Sequence, residues 1–240
     1  MRVLLVVTAV SMFASISSFV GASLADDRID RFMKNVLASV PIPGASVAVV
    51  KDGQIVKQAS YGLASIEYDV KATPETPYLL ASITKSITAT AVLMLVEERK
   101  IDPDASITSY LDDAPAAWKP ITVRMLLGHT AGLTDRWEEA DRSKWRLHYS
   151  TADLYAAAKA TPLAYEPGAR SQYSDQGYFL LGMIIEKITG KSYKENLDAR
   201  IFKPAAMSRS TLSSQTELIP DLAQGYTQVQ GKLLKNHRRT

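Results

Sequence analysis

Residues 82–100 read Ser82-Ile-Thr-Lys-Ser-Ile-Thr-Ala-Thr-Ala-Val-Leu-Met-Leu-Val-Glu-Glu-Arg-Lys100, and the fold turns on this stretch. It holds no proline or glycine, and its centre, Ala91 to Val96, is apolar on every side. A helix with no polar face in its middle is a buried one, so the sequence predicts a buried helix over 82–99, with Arg99 and Lys100 suited to its negative C-terminal end. At its start a hydroxyl and an amine, Ser82 and Lys85, stand three residues apart and project from one face. A serine hydroxyl becomes a useful nucleophile only when a neighbouring base takes its proton, and a desolvated lysine can serve. The free N–H groups of the helix start also favour an oxyanion. The same pair could equally be an ordinary N-cap and a lysine lying along the surface; Ser-x-x-Lys alone leaves both readings open.

Outward from this helix, Ala45-Ser-Val-Ala-Val-Val-Lys51 and Gln54-Ile-Val-Lys-Gln-Ala-Ser-Tyr61 flank Asp52-Gly53, a pair that favours positive φ, which predicts a β-hairpin. The first run is apolar at nearly every position and is expected to be covered on both faces. Upstream, Ile29, Phe32, Met33, Val36 and Leu37 recur at helical spacing until Pro41-Ile-Pro-Gly44. Downstream, 122–127, 151–160 and 175–189 read as helices, the last closed by Gly190, and Ser192 with Glu195 makes a capping box for a helix to about Ile201. Two early strands, a helical middle and a trailing strand-like segment predict an α+β fold with helices packed on an antiparallel sheet.

With 240 residues, 46% of them apolar, 22% charged and 8% aromatic, the chain has ordinary soluble usage, against disorder, a fibre or a multi-span membrane protein. Net charge is +3 with interspersed signs, so no nucleic-acid partner is expected. The one basic cluster, Lys232, Lys235, His237, Arg238 and Arg239, reads as a solvated tail. The absence of cysteine excludes disulfides, thiolate catalysis and Cys-ligated zinc, and His129, His148 and His237 have no metal-binding spacing. Neither a metal nor an organic cofactor is expected. Arg2, the apolar run from Val3 and the small residues before Asp26 have the order of a secretory signal, so residues 1–25 are expected to be cleaved after Ala25, the competing reading being an uncleaved anchor helix. Residues 26–240 then form the domain, periplasmic or secreted, with no stable membrane span once the signal is gone.

A second constellation, Tyr173-Ser174-Asp175, follows Glu166-Pro167-Gly168 at a loop-to-helix junction. A tyrosine beside a lysine ammonium can accept the serine proton and later activate a water. The bland reading makes Tyr173 a half-buried tyrosine and Asp175 a helix cap. At this point the chain resembles the serine β-lactamases of class C with the related D-alanyl-D-alanine carboxypeptidases and serine esterases. The blocks that carry the likeness run in order: Pro43-Gly-Ala-Ser-Val-Ala-Val-Val-Lys-Asp-Gly53, Thr73 to Lys85, Leu126-Leu-Gly-His-Thr-Ala-Gly-Leu133, Glu166 to Gly182 and Ile184 to Tyr193.

The resemblance implies a β-lactamase/transpeptidase-like fold, an antiparallel sheet with a mostly helical part carrying the Ser-x-x-Lys helix. It implies Ser82 as the acylated nucleophile, Lys85 as its proton-handling neighbour, Tyr173 as general base, and Asp175 at a substrate-binding position where many members have asparagine. An aspartate there holds Lys85 charged, which shifts the base role toward Tyr173. The expected reaction is hydrolysis of an amide or ester, in a β-lactam, a D-Ala-D-Ala peptide or a small ester, so the expected partner is a small-molecule or peptidoglycan-like substrate. The family's third motif, Lys-Thr-Gly or His-x-Gly on a C-terminal strand, is not found before Thr240, and the domain is expected to lack those sheet strands. The alternative is a non-catalytic extracytoplasmic binding domain or a truncated remnant. His129 reads as structural. Gly-x-Ser-x-Gly, the mark of a Ser-His-Asp hydrolase, does not occur. Trp137, Trp145 and Tyr149 read either as a substrate entrance or as a solvated loop with aromatic anchors.

Overall fold

A computed structural model describes residues 28–134, 149–213 and 217–236. The proposed signal, residues 1–25, lies outside the described residues, as do Trp137, Trp145, His148 and the tail from His237. The chain divides into two compact units, residues 1–40 and 41–240. In the first, helix α1 (Arg28–Ser39) forms where the apolar spacing predicts, and the amide of Val40 still bonds the Val36 carbonyl at 2.9 Å before the prolines stop the helix.

The second unit opens with strands β1 (Gly44–Lys51) and β2 (Gln54–Ser65), paired antiparallel from Gly44 opposite Gly62 to Lys51 opposite Gln54. Asp52 and Gly53 take φ of 50° and 73°, the two successive positive values that a two-residue hairpin turn requires. A short β3 (Val70–Lys71) adds to the other side of β2, giving the order β1-β2-β3. The expectation that β1 is covered on both faces is not met: Val47 and Val49 are half-buried, Ser46 and Ala48 exposed, and Val50 is 63% exposed. Among the described residues β1 is an edge strand, and an apolar run cannot reveal from its own composition what lies opposite it.

The core belongs to the helices. A 3₁₀ turn (Ala81–Ile83) leads into α2 (Thr84–Glu97), followed by α3 (Val123–Leu127), α4 (Thr151–Ala160), α5 (Asp175–Thr189) and α6 (Tyr193–Leu197), which runs on as a π-helical turn to Phe202. Helix α5 packs against α2, α3 and α6 and contributes Leu180, Leu181, Ile184 and Ile185, all fully buried. Leu95, Ile101, Ile107, Trp118, Ile121 and Leu126 close the cluster around them. Helix α2 is one-sided rather than buried all round: Thr88, Ala91, Val92 and Leu95 face inward, while Leu93 is 54% exposed. It ends at Glu97, and Arg99 takes φ of 57°, so the two basic residues lie past the last turn.

The capping signals are read correctly by the structure. Ser192 and Glu195 exchange the reciprocal bonds of a capping box at α6, and Ser150 and Asp153 do the same at α4. The trailing segment is a hairpin, β4 (Tyr226–Val229) and β5 (Lys232–Lys235). It is tied to β2 by the amide of Gln224 on Ala64 O at 2.8 Å and by the amide of Ile66 on Tyr226 Oη at 2.7 Å. Lys232 and Lys235 of the basic cluster sit on β5, where Lys235 lies 3.7 Å from Glu67. Among the described residues no helix is long and apolar enough to cross a membrane.

Candidate active site

Ser82 sits in the middle of the 3₁₀ turn that opens α2. The residue before it, Ala81, has φ of 46°, a conformation that residues with a Cβ seldom adopt, so the backbone that presents the serine is strained. Ser82 makes no capping bond; the cap positions of the turn and of the helix fall to Leu80 and Ile83, neither of which caps through its side chain. The N-cap reading of Ser82 is thereby removed. Within this turn the Ile83 amide bonds Leu80 O at 3.1 Å and the Thr84 amide bonds Ala81 O.

One turn on, the Lys85 side chain is only 17% exposed and its ammonium is ion-paired with Asp175 Oδ1. It also lies 4.7 Å from the centre of the Tyr173 ring and 5.6 Å from that of Tyr178. Burial pulls the lysine toward its neutral form, but the bonds to Asp175 and Tyr173 outweigh it and hold the ammonium above the ordinary lysine range. This is not a lysine lying along the surface.

Tyr173 reaches the same point from the loop before α5. Its Oη lies 2.8 Å from Ser82 Oγ and 3.1 Å from Asp175 Oδ1, and half of the residue remains exposed. Asp175 begins α5 without capping it. That duty belongs to the buried Ser174, whose Oγ accepts from the amide of Gly177 at 3.1 Å. The carboxylate of Asp175 meets Lys85 and Tyr173. All four residues singled out in the sequence, Ser82, Lys85, Tyr173 and Asp175, meet in one chain of contacts.

Sequence reasoning set aside one participant. The corner after α3 holds the loop that carries Tyr173: Gly168 N bonds Thr130 O at 2.8 Å, Gln172 N bonds His129 O at 2.9 Å, and Ser174 N donates to His129 Nδ1 at 3.2 Å. The imidazole lies against Tyr173 and Tyr178, with ring centres 4.9 and 5.1 Å away. His129 therefore supports the phenol by direct ring contact with Tyr173, the partner of Ser82. The Gly-His-Thr-Ala-Gly string was its only sequence signal. Gly132 in that string has φ of 79°, and a Cβ there would come within 2.3 Å of Tyr165 O. Glycine is required for the corner to close.

A cavity of about 520 Å³ opens beside Ser82 between α2 and α5, lined by Lys85, Asp175, Phe179, Met183 and Tyr193 among others. That volume suits a small molecule. Tyr149, the one member of the aromatic trio within the described residues, is 46% exposed.

Comparison with known proteins extends this geometry. The family model described as Beta-lactamase matches residues 28–238. Protein flp of Staphylococcus aureus strain MW2 is 30% identical over 193 residues, which cover 78% of this chain and 38% of that protein. The chain thus spans well under half the length of that relative. Among solved structures, the octameric penicillin-binding protein homologue from Pyrococcus abyssi aligns with a TM-score of 0.75 and 30% identity, over 86% of this chain and 49% of that one. The D-amino acid amidase from Ochrobactrum anthropi SV3 in complex with D-phenylalanine aligns at 0.75 with 28% identity, over 84% and 56%. The α+β arrangement is that of the β-lactamase/transpeptidase fold.

Proposed function

The chain belongs to the beta-lactamase family, among the penicillin-binding-protein-like serine hydrolases, and from that premise we propose that it opens an amide or ester through an acyl intermediate on Ser82. The observation that carries this is the 2.8 Å contact between Tyr173 Oη and Ser82 Oγ beside a half-buried ammonium. Ser82 Oγ attacks the carbonyl carbon, Tyr173 accepts its proton, and the ammonium of Lys85 favours the negative charge that develops. When the carbonyl re-forms, the proton goes to the leaving nitrogen or oxygen, and a water repeats the sequence to release the acid.

The substrate class we propose is a small molecule or peptidoglycan-like compound: a β-lactam, a D-Ala-D-Ala peptide or a small ester. Support comes from the cavity beside Ser82 and from the likeness to a penicillin-binding protein homologue and a D-amino acid amidase. We also propose a periplasmic or secreted location, on the signal-like order of residues 1–25; N-terminal sequencing of the exported protein should begin at Asp26.

A fluorescent penicillin or fluorophosphonate should label the chain, and Ser82→Ala should abolish the label. Equal labelling of the mutant refutes Ser82 as the nucleophile. Rates with nitrocefin, a D-Ala-D-Ala peptide and a short-chain p-nitrophenyl ester then rank the three substrate types.

A further inference from the structure

The phenol of Tyr173 has two acceptors and one proton. Its Oη stands 2.8 Å from Ser82 Oγ and 3.1 Å from Asp175 Oδ1. An ionised carboxylate only accepts, whereas a serine hydroxyl can donate or accept. Turning the phenolic proton onto the Asp175 branch therefore frees an Oη lone pair for the proton of Ser82. The oxygen that receives it, Asp175 Oδ1, is the same one that Lys85 grips.

We propose that Asp175 is the terminal proton acceptor of the site: Ser82, Tyr173 and Asp175 form a two-proton relay, with Lys85 as the fixed cation beside it. This rests on the serine-hydrolase reading above and deepens it. As the bond from Ser82 Oγ to the carbonyl carbon forms, the Oγ proton passes to Tyr173 Oη and the phenolic proton passes to Asp175 Oδ1. The carbonyl π pair moves onto the substrate oxygen. On collapse Asp175 returns its proton to Tyr173, which protonates the leaving nitrogen or oxygen as its bond to carbon breaks.

The charge count favours this order. Before the step Lys85 and Asp175 are a neutral pair; after it Asp175 is neutral and the negative charge sits on the substrate oxygen, still facing Lys85. No phenolate needs to exist beside a carboxylate, a placement that would set two like charges about 3 Å apart. The titratable groups that face Asp175 and its relay are Lys85 from α2, Tyr173 from the preceding loop, Tyr178 from α5 itself, and His129, which contacts Tyr173 from the corner after α3.

The rate of labelling by a fluorescent fluorophosphonate tests the relay. The unaltered chain sets the reference rate. In mixtures of light and heavy water it should bow with deuterium fraction, as two protons in flight require. Asp175→Asn keeps the size and hydrogen-bonding capacity but has no base, and should label roughly 10²-fold slower. Its rate should depend linearly on deuterium fraction.

An asparagine variant that melts cooperatively and labels as fast as the parent, with the parent's deuterium dependence, overturns the relay and leaves Ser82 in place. If that variant does not fold, a linear deuterium dependence in the parent overturns it alone. Labelling that survives Ser82→Ala overturns the hydrolase reading instead.

Discussion

Lys85 is where burial and charge meet most directly. Its ammonium is mostly covered, which costs free energy unless a partner compensates, and Asp175 and Tyr173 supply that compensation. A lysine whose folded value is raised stabilises the fold fully below its unfolded value, about 10.4, and loses that contribution as pH climbs through the folded one. The melting temperature of Lys85→Met should therefore differ from the parent's by a constant amount between pH 6 and 9, and the gap should narrow above about pH 10.5. A gap that changes across neutral pH would assign the effect to another group. Gly132 sets a second residue-scale test. Gly132→Ala would place its Cβ 2.3 Å from Tyr165 O at a φ of 79°, and should cost more than about 2 kcal/mol in denaturant unfolding.

At the scale of elements, the site exists because two helix starts converge. The strained turn at Ala81 presents Ser82, and Ser174 caps α5 while Asp175 faces Lys85. Neither arrangement depends on the far ends of the helices, which are tied separately. Arg200, in the π-helical turn after α6, bonds Glu98 just past α2 at 2.5 Å, and Lys100 adds a 2.8 Å contact. Arg200 and then Lys100 hold the Glu98 carboxyl down to about 2 from an ordinary 4.5. A depressed carboxyl stabilises the fold above its unfolded value and loses that contribution as pH falls through the folded one. The parent should thus melt above Glu98→Gln at pH 6, and the difference should vanish between pH 4.5 and 2. Because the group is exposed, added salt should also shrink it.

For the molecule as a whole, stability is concentrated in the helices. Among the described residues the largest fully buried side chains run from Leu95 to Leu197, whereas β1 contributes none. Amide exchange should be slowest in α2 and α5 and fast along β1 and the β4–β5 hairpin; uniform protection would contradict that division. Leu181→Ala, at the centre of the cluster, should lose about 2–5 kcal/mol. Elements and caps were legible because they are local: helical spacing, Asp52-Gly53 and the Ser192–Glu195 box each act within a few residues. The four site residues were nameable from type and spacing joined to the family likeness. Burial of β1 and α2 was misjudged because composition reports apolarity and not what packs against it. His129 reads as structural from the sequence, but which residues it supports is not legible there because Tyr173, Ser174 and Tyr178 lie more than forty residues away. The sequence by itself determined the α+β class and the short list of reactive groups, since periodicity and functional-group chemistry are written residue by residue. Tertiary structure alone decided that Tyr173 lies between Ser82 and Asp175 with Lys85 locked to the latter, because distances of about 3 Å between segments ninety positions apart are set by helix packing, which no local pattern encodes.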